Sequence, residues 1–392
     1  MYRIQTLNKI APAGLDLFPR DRFEIASEIP APDAMLVRSA SLHDLALPPT
    51  LKAIGRAGAG VNNIPVDRCS EQGIVVFNTP GANANGVKEM VLAGLLLSSR
   101  RVYDGITWAR SLAGKGSEVP ALVEKEKSAF AGPEIKGKKL GVVGLGAIGV
   151  MVANDALALG MDVCGYDPYI SVEAAWGLSR SVRRALSLDQ LLAEADYITL
   201  HLPLLDATRN LVNADMLNAV QPGTQLLNFA REGIVDDDAA VAALREERLG
   251  AYLTDFPSPK LQGVEGVIAT PHLGASTVES EENCAVMASR QLMDFLENGN
   301  IVNSVNFPTL VLERAGGHRL ALTNRNVPRM LGHVLSVLSD RDINVIDMLN
   351  KSRENLAYNL LDLEVEPSAD TLQALQDIEG VINVRMVPEA HD

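Results

Sequence analysis

A glycine-rich turn that directly follows a short apolar run constrains the fold of this chain more than any other feature. Residues 139–143 form the apolar run, and glycines follow at Gly144, Gly146 and Gly149. The first glycine allows a tight turn, the second lets the backbone approach a pyrophosphate, and the third lets the following helix pack closely on the strand. Because the helix amino end then faces the anion, the turn predicts a nucleotide site. The alternative is an ordinary strand, loop and helix with packing glycines.

An acid at the end of the next apolar run narrows this prediction. Asp167 closes residues 162–167, at about the distance expected for a carboxylate that binds the ribose hydroxyls of adenosine. Such a carboxylate would repel a 2′-phosphate, so the sequence favours NAD over NADP. Ala147 and Ile148 lie inside the glycine motif and are assigned to the same cofactor site.

Apolar runs alternate with helical stretches on both sides of the turn and predict an α/β fold. The runs before residue 80 indicate a small α/β layer, and those between residues 139 and 270 indicate a doubly wound parallel sheet. The tail from residue 318 to 387 has the order βαββαβ, which is a ferredoxin-like unit. We therefore expect a Rossmann nucleotide domain inserted in a smaller flavodoxin-like α/β domain, followed by a ferredoxin-like domain.

The predicted domain boundaries follow from this alternation. They are 1–84 for the first part of a substrate-binding domain, 85–276 for the NAD-binding domain, 277–312 for the return helix and linker of the substrate-binding domain, and 313–392 for the C-terminal domain.

Three local expectations accompany these boundaries. The pattern of residues 85–105 predicts one long, mostly buried helix, and that of residues 114–132 predicts a polar, irregular segment. The first helix of the tail is expected to bury four apolar residues at helical spacing, namely Leu331, Val334, Leu335 and Leu338.

The composition excludes several classes of protein. A formal net charge of -14 over 392 residues argues against a nucleic-acid-binding surface. The three cysteines are far apart, so neither a disulfide framework nor a zinc site is indicated, and we expect no metal and a reducing cytoplasm. The longest apolar run, residues 91–97, is too short to cross a bilayer, and the first residues lack a signal-peptide pattern.

Arginines at two predicted strand ends are candidates for binding an anionic substrate. Arg38 and Arg56 each follow a short apolar run. Ligands of parallel sheets sit outside the carboxyl ends of the strands, so these guanidinium groups are placed to meet an anion. A surface arginine in a loop is the alternative for both.

Three further strand ends offer groups for the oxidation of an alcohol. Arg231 could bind a 2-oxo acid through two parallel hydrogen bonds, or pair with Glu232 or Asp236. His272 could take the hydroxyl proton, because histidine titrates near neutrality, or could be a structural histidine. Asp255 could bond the nicotinamide amide, or cap a turn.

The chain resembles the D-isomer-specific 2-hydroxyacid dehydrogenase family over essentially its whole length, in a short form that ends in an ACT regulatory domain. The resemblance rests on residues 56–63, the glycine motif with residues 166–168, and residues 228–236, 271–277 and 303–308. It implies that His272 is the acid/base and Arg231 the carboxylate clamp. It also implies substrate ligands and a larger cofactor site, namely Arg38, Arg56 and Gly58 for the substrate, and Ala59, Leu202, Phe229, Ala230 and Asp255 for NAD.

Two departures from the family pattern stand out. The family carries a catalytic glutamate a few residues after the aspartate that matches Asp255, whereas residues 255–260 form a shorter loop without an acid in that place. Glu265, Glu279 or Asp255 itself could support His272, or the histidine works without a carboxylate. In the ACT domain, the usual Asn-x-Pro-Gly turn ends in Arg329.

The resemblance implies NAD-dependent oxidation of D-3-phosphoglycerate to 3-phosphohydroxypyruvate, the entry to serine synthesis, in a homodimer or homotetramer that binds L-serine as effector. An ACT domain that only builds the oligomer is the alternative to serine binding. The same chemistry on another D-2-hydroxy acid is the nearest alternative function. A non-catalytic NAD-sensing protein is the alternative of another class.

Overall fold

The computed structural model describes residues 1–388 and divides the chain into two compact units. One unit consists of Met1–Asn83 together with the chain from Val278 onward, and the other of Ala84–Thr277. The last four residues of the predicted C-terminal domain, 389–392, lie outside the described residues. The boundaries of the predicted functional domains stay predictions.

The first 83 residues form a parallel five-stranded sheet in the order β2-β1-β3-β4-β5, which is the flavodoxin-like order. The strands β3, β4 and β5 are short and almost fully buried, as expected where both faces of a sheet are covered. The elements are β1 (Tyr2–Leu7), α1 (Pro12–Leu15), β2 (Phe23–Ala26), β3 (Ala34–Val37), β4 (Ala53–Arg56), α2 (Val66–Glu71) and β5 (Val75–Phe77).

The second unit begins with two helices rather than the single long helix expected from the sequence. They are α3 (Ala84–Ser99) and α4 (Val102–Ser111), separated at Arg101, whose φ of 47° is left-handed. That conformation cannot continue a right-handed helix, so the helix predicted for residues 85–105 is present as far as Ser99 but is wrong in continuing through Arg101. The irregular segment predicted for residues 114–132 is wrong as well, because most of it is helical, through α5 (Val119–Glu126) and the 3-10 turns on either side. Pro120 at the start of α5 and the charged residues of the segment suit an exposed helix.

The rest of the second unit is a parallel sheet in the order β12-β11-β10-β9-β6-β7-β8. The strand order reverses beside β6, which is the switch point of a doubly wound fold. The elements are β6 (Lys139–Val143), α6 (Ala147–Ala158), β7 (Asp162–Tyr166), α7 (Val172–Gly177), β8 (Arg183–Arg184), α8 (Leu188–Glu194), β9 (Tyr197–Leu200), α9 (Ala214–Ala219), β10 (Thr224–Asn228), α10 (Asp237–Arg245), β11 (Leu249–Thr254) and β12 (Val267–Ala269).

A long helix, α11 (Val278–Asn298), returns the chain to the first unit and completes its core. A Cβ at Gly55 in β4 would lie 2.9 Å from Leu292, so the missing side chain lets the helix approach the sheet closely. Phe295 meets Phe77 edge-on at 5.6 Å between ring centroids. Gly299, with φ of 76°, ends the helix in the left-handed conformation that favours glycine.

The C-terminal part of the first unit is an antiparallel sheet in the order β14-β15-β13-β16, with two helices on one face. Its elements are β13 (His318–Arg325), α12 (Met330–Ser339), β14 (Val345–Arg353), β15 (Leu356–Leu363), α13 (Ala369–Gln376) and β16 (Val381–Val387). This is the predicted βαββαβ unit, and the predicted fold class is confirmed. Within α12, Val334 and Leu338 are buried but Leu335 is 36% exposed, because it lies on the outer face of the helix.

A buried arginine joins this antiparallel sheet to the end of α11. The Arg319 side chain is fully buried and donates to both carboxylate oxygens of Asp362, at 2.7 and 2.9 Å. Its remaining N–H groups donate to three backbone carbonyls, those of Asn298, Leu312 and Glu313. Burial raises the pKa of Asp362, but the bonds from Arg319 and the Ala315 amide outweigh it, so the net pKa is lowered. Every donor of the guanidinium is therefore satisfied.

None of the helices within residues 1–388 is both long enough and apolar enough to span a membrane.

Candidate active site

The predicted site residues of the second unit gather at one edge of its parallel sheet. Gly144 follows β6, Asp167 follows β7, Phe229 follows β10, Asp255 follows β11 and His272 follows β12. All of these strands run in the same direction, so their carboxyl ends lie on the same side. This edge includes the switch point beside β6, where doubly wound sheets bind their ligands.

The glycine turn has the geometry that a dinucleotide requires. Gly144 has φ of 91°, and a Cβ there would lie 2.4 Å from the carbonyl oxygen of His201. A Cβ at Gly149 would lie 2.0 Å from the Gly144 carbonyl oxygen, which fixes the close approach of α6 to β6. A Cβ at Gly146 would meet no atom within 4 Å, so the space in front of the turn is open. These features fit a pyrophosphate at the amino end of α6.

The same helix end has backbone donors to offer. Gly146 is the N-cap of α6, and no side chain in the described residues caps it. The helix continues with Ala147 and Ile148, as the sequence motif predicts. Leu202 lies beside the turn, since its Cδ2 atom is 3.0 Å from a Cβ built on Gly144. The unbonded N–H groups and the helix dipole favour an anion there.

Asp167 is positioned across the turn by two backbone amides. Its Oδ2 accepts from the Leu145 nitrogen at 2.8 Å, and its Oδ1 accepts from the Tyr169 nitrogen at 2.8 Å. These bonds fix the carboxylate just after β7, which is the strand next to β6 and Gly144. That position fits the predicted contact with ribose hydroxyls, which stays a prediction.

The segment after β10 is held by the buried side chain of Asn228. Its Oδ1 accepts from the Ala230 nitrogen at 3.2 Å, and its Nδ2 donates to the Arg231 carbonyl at 2.9 Å. Phe229 and Ala230 are buried, whereas Arg231 is exposed and folds back to donate to the Ala230 carbonyl at 2.7 Å. The alternative ion pairs of Arg231 with Glu232 or Asp236 do not form within the described residues.

The His272 segment has a strained backbone that Asp255 supports. His272 has φ of 56°, an uncommon conformation for a residue with a side chain. The buried Asp255 carboxylate accepts from the backbone nitrogens of Leu273 and Gly274, each at 2.7 Å, and from the Thr270 hydroxyl at 2.6 Å. Both carboxylate oxygens of Asp255 therefore accept hydrogen bonds from the loop. This matches the second role considered for Asp255, that of capping a turn. Its contact with the nicotinamide amide stays a prediction.

None of the three proposed carboxylates bonds the His272 ring inside the second unit. The Glu265 carboxylate lies 3.6 Å from Arg101 and is 92% exposed. Asp255 contacts the His272 backbone rather than its ring, and Glu279 belongs to the other unit. Phe256 packs edge-on against the imidazole at 5.1 Å between centroids. Within residues 84–277 this aromatic contact restricts the orientation of the ring.

The predicted substrate residues lie in the first unit, at the carboxyl ends of β3 and β4. Arg56 donates from Nε to the Arg38 carbonyl at 3.1 Å. Gly58 is buried beneath the Arg56 guanidinium, since a Cβ there would lie 1.5 Å from Nη1. The Ala59 carbonyl accepts from the Asn78 side chain at 2.7 Å. The structure thus brings Arg38, Arg56 and Gly58 together.

One notable residue in each unit was missed by the sequence analysis. Glu281 in α11 forms an ion pair with Arg38, at 2.7 Å between Oε1 and Nη2. His201, after β9, has its Nε2 3.0 Å from the Thr199 hydroxyl, while its buried Nδ1 has no partner among the described residues. Burial lowers the pKa of His201 to about 3. Acids in the first turn of a helix are common, so Glu281 gave no distinctive signal.

Comparisons with known proteins agree with this arrangement. Residues 92–274 match the family model described as D-isomer specific 2-hydroxyacid dehydrogenase, NAD binding domain. The D-3-phosphoglycerate dehydrogenase of Haemophilus influenzae is 33% identical over 86% of this chain and 82% of its own length. The Synechocystis enzyme of the same name is 38% identical, but the chain spans 51% of its length.

Two further relatives broaden the comparison. The (S)-sulfolactate dehydrogenase of Chromohalobacter salexigens is 39% identical over 67% of this chain and 84% of its own length. The crystal structure of NAD+-bound 3-phosphoglycerate dehydrogenase from Entamoeba histolytica has a TM-score of 0.62 and 27% identity, and covers 79% of this chain and 99% of that one. With an NAD-binding sheet edge, a strained histidine loop and relatives of this similarity, the chain belongs to the D-isomer-specific 2-hydroxyacid dehydrogenase family.

Proposed function

We propose that this protein catalyses the NAD-dependent oxidation of D-3-phosphoglycerate to 3-phosphohydroxypyruvate, the first step of L-serine synthesis. The observation that carries the proposal is that the glycine turn, Arg231 and His272 all follow strands of one parallel sheet and share its carboxyl edge. The 33% identity to the Haemophilus influenzae enzyme supports the choice of substrate.

The residues of the edge have distinct roles in this reaction. When bound, NAD supplies the hydride acceptor at its nicotinamide ring. His272 takes the proton of the C2 hydroxyl during oxidation and returns it during reduction. Arg231 holds the substrate carboxylate through two parallel hydrogen bonds, which fixes C2 for transfer. Asp255 acts as a positioning residue, because its bonds set the backbone on either side of His272.

The absence of a carboxylate on the His272 ring within the second unit bears on the rate. A carboxylate partner orients the ring and raises its basicity, and general acid/base terms amount to about 10²–10⁴-fold in rate. Phe256 supplies orientation through the edge-on contact but no charge. We therefore expect turnover to be limited by the lack of a carboxylate that would stabilise the protonated ring within the second unit.

The observation that favours a second substrate is the 39% identity to (S)-sulfolactate dehydrogenase. Sulfolactate and 3-phosphoglycerate share the 2-hydroxy acid and differ in the anionic group at C3. The arginines at the ends of β3 and β4 suit either anion. Oxidation of another D-2-hydroxy acid is therefore the second candidate function.

A substrate panel tests these assignments. Purified protein is incubated with NAD and D-3-phosphoglycerate, D-glycerate or sulfolactate, with a hydrazine to trap the 2-oxo product, and NADH formation is followed by absorbance. We expect the highest kcat/KM with D-3-phosphoglycerate. A higher value with sulfolactate would replace the substrate assignment. NAD binding without turnover of any of the three would indicate an NAD-sensing protein and contradict the enzymatic function.

The quaternary structure and the effector are part of the same proposal. We propose a homodimer or homotetramer in the cytoplasm, the location being supported by three free cysteines. L-serine is the proposed effector of the C-terminal domain. Arg329 has φ of 71°, so it keeps the left-handed conformation that the usual glycine of this turn would adopt. Calorimetry with millimolar serine tests binding, and unchanged heat and rate would exclude this effector.

A further inference from the structure

Arg38, one of the two arginines proposed to bind the substrate anion, forms an ion pair within the protein. Glu281, in the first turn of α11, places Oε1 2.7 Å from Nη2 of Arg38. The two side chains are 41% and 42% exposed, so both are accessible to solvent. We propose that the Glu281 carboxylate competes with the anionic group at C3 of the substrate for binding to Arg38. When the substrate binds, its C3 anion displaces the Glu281 carboxylate from Arg38. This inference rests on the proposed function and deepens it.

The charges around this ion pair converge on one place in the first unit. Val37 and Arg56 are partners across β3 and β4, and the Arg56 side chain donates to the Arg38 carbonyl. Cys284 lies three residues after Glu281 on α11. Burial raises the pKa of the Cys284 thiol. The Glu281–Arg38 ion pair and the Arg56–Arg38 hydrogen bond bring these three charged residues together.

The strength of the ion pair suits an exchangeable contact. Solvent-exposed pairs contribute little stability, because solvent screens them and two long side chains must be held in one geometry. A phosphate group carries nearly two negative charges at neutral pH, whereas the Glu281 carboxylate carries one. Arg38 therefore gains by exchanging Glu281 for the phosphate.

The displaced carboxylate remains attached to α11 and close to the bound anion. Its repulsion of the ligand grows with the charge of the ligand. Glu281 should therefore weaken the binding of a phosphate more than that of a sulfonate, and should leave a C3 hydroxyl almost unaffected. The residue sets affinity for the C3 group rather than the rate of hydride transfer.

The Glu281→Gln variant tests the inference, with Glu282→Gln as the matched control. Glu282 is the next residue, is exposed and carries the same charge. We expect Glu281→Gln to lower the KM for D-3-phosphoglycerate about threefold to fivefold, the range of an exposed ion pair. The KM for sulfolactate should fall less, the KM for D-glycerate and NAD should stay unchanged, and kcat should change by less than twofold. Glu281→Ala repeats the test if the first variant does not fold.

A double-mutant cycle asks whether the effect passes through Arg38. In an Arg38→Met background, Glu281→Gln should lower the KM for D-3-phosphoglycerate by a smaller factor than in the wild type, because only the direct repulsion of the ligand is then relieved. An unchanged or raised KM in the single variant would overturn the inference, because Glu281 would then hold Arg38 in place or only stabilise the start of α11. An equal fall for all three substrates would also overturn it, because Arg38 would then meet the carboxylate at C1.

A binding measurement separates this inference from the proposed function. Inorganic phosphate is titrated into the whole protein and its binding is followed by the rise in the melting temperature, without any turnover. Glu281→Gln should bind phosphate more tightly than the wild type and the Glu282→Gln control. This result would hold even if the protein oxidised no 3-phosphoglycerate. Equal phosphate binding by all three proteins would overturn the inference while leaving the enzymatic assignment intact.

Discussion

The peptide nitrogen of His272 donates a 3.0 Å hydrogen bond to the carbonyl oxygen of Asp255. The side chain of Asp255 then accepts the next two backbone nitrogens, so one residue determines the path of the chain through His272 and beyond. The φ of 56° at His272 costs conformational energy, and these bonds maintain it. The proposed acid/base is therefore held by its backbone and by Phe256.

Replacing Asp255 should disturb the chemistry more than the binding of cofactor. In Asp255→Asn, one amide N–H would face the backbone donors of Leu273 and Gly274, so at least one buried bond is lost. Loss of such a bond costs about 1–3 kcal/mol. We expect kcat to fall about 10-fold to 100-fold, measured by steady-state kinetics, with a lower melting temperature. Asp206→Asn, at an exposed position of the same unit, is the control and should match the wild type.

Replacing His272 tests the acid/base assignment without changing the backbone strain. Asn is the appropriate substitute because it tolerates φ above zero better than most residues. We expect His272→Asn to lower kcat by about 10²–10⁴-fold, since it removes the proton acceptor. The dissociation constant for NAD, from fluorescence titration, should stay within twofold. Comparable losses in kcat and NAD affinity would contradict the assignment, and His333→Asn on the exposed face of α12 serves as the control.

Replacing Asp167 should shift the cofactor preference. The Asp167→Ala variant loses the carboxylate proposed to bind the ribose hydroxyls and to repel a 2′-phosphate. Hydrogen bonds to a charged group contribute about 1.5–3 kcal/mol, so we expect kcat/KM for NAD to fall about 10-fold to 100-fold. The kcat/KM for NADP should rise relative to that for NAD. An unchanged ratio of the two would show that another residue selects the cofactor.

The second unit should lose stability in mild acid because of His201. Burial lowers the pKa of His201 from 6.5 to about 3, so the folded state keeps the ring neutral where the unfolded state protonates. The contribution of His201 to the free energy of unfolding is therefore fully present above the pKa of the unfolded state, 6.5. It is lost progressively as the pH falls from about 6.5 toward 3. For a partly exposed residue we expect roughly 0.5–1 kcal/mol per pH unit.

Tryptophan fluorescence measures this effect selectively. Both tryptophans, Trp108 and Trp176, belong to the second unit. Urea unfolding followed by their fluorescence at pH 7.5, 6 and 5 should show a smaller pH dependence in His201→Gln than in the wild type. His333→Gln in the first unit should keep the wild-type dependence, and the prediction is wrong if His201→Gln does so too.

Removing Arg319 should destabilise the first unit alone. Arg319→Met leaves the buried carboxylate of Asp362 without its partner, and breaking a buried pair in this way costs about 3–5 kcal/mol. We expect the circular-dichroism transition of the first unit to shift to lower urea concentration while the tryptophan transition stays unchanged. The Arg319→Met, Asp362→Leu double variant should recover part of the loss. Arg341→Met, an exposed arginine at the end of α12, should shift neither transition.

Much of the architecture was predictable because the local signals agree with one another. The glycine turn, the apolar runs and the acid at Asp167 each favour the same strand-turn-helix-strand unit, and the structure contains it. The tail was predictable for the same reason, since its helix and strand periods differ clearly. The break at Arg101 was not predictable, because neither a proline nor a glycine marks a residue that tertiary packing forces into the left-handed region.

The candidate site was predictable in its residues but less so in their partners. His272 and Arg231 were candidates because they follow strands, whereas their roles came from the family resemblance and stay predictions. Partners such as Glu281 for Arg38 are far away in sequence, and side-chain direction decides them. Leu335 shows the same limit, because helical spacing predicts a face for it without saying how wide the buried stripe is.

The discontinuity of the first unit has a consequence for its synthesis on the ribosome. The sheet of the first 83 residues needs α11 to cover one face, yet residues 84–277 are translated in between. At roughly 5–20 residues per second, that interval lasts on the order of 10–40 s. The second unit is continuous and can fold within this time. Phe77 and its neighbours in the first sheet cannot be covered until Phe295 of α11 has been synthesised. A newly made chain therefore exposes an apolar sheet face for many seconds, which makes it a substrate for chaperones before it becomes an enzyme.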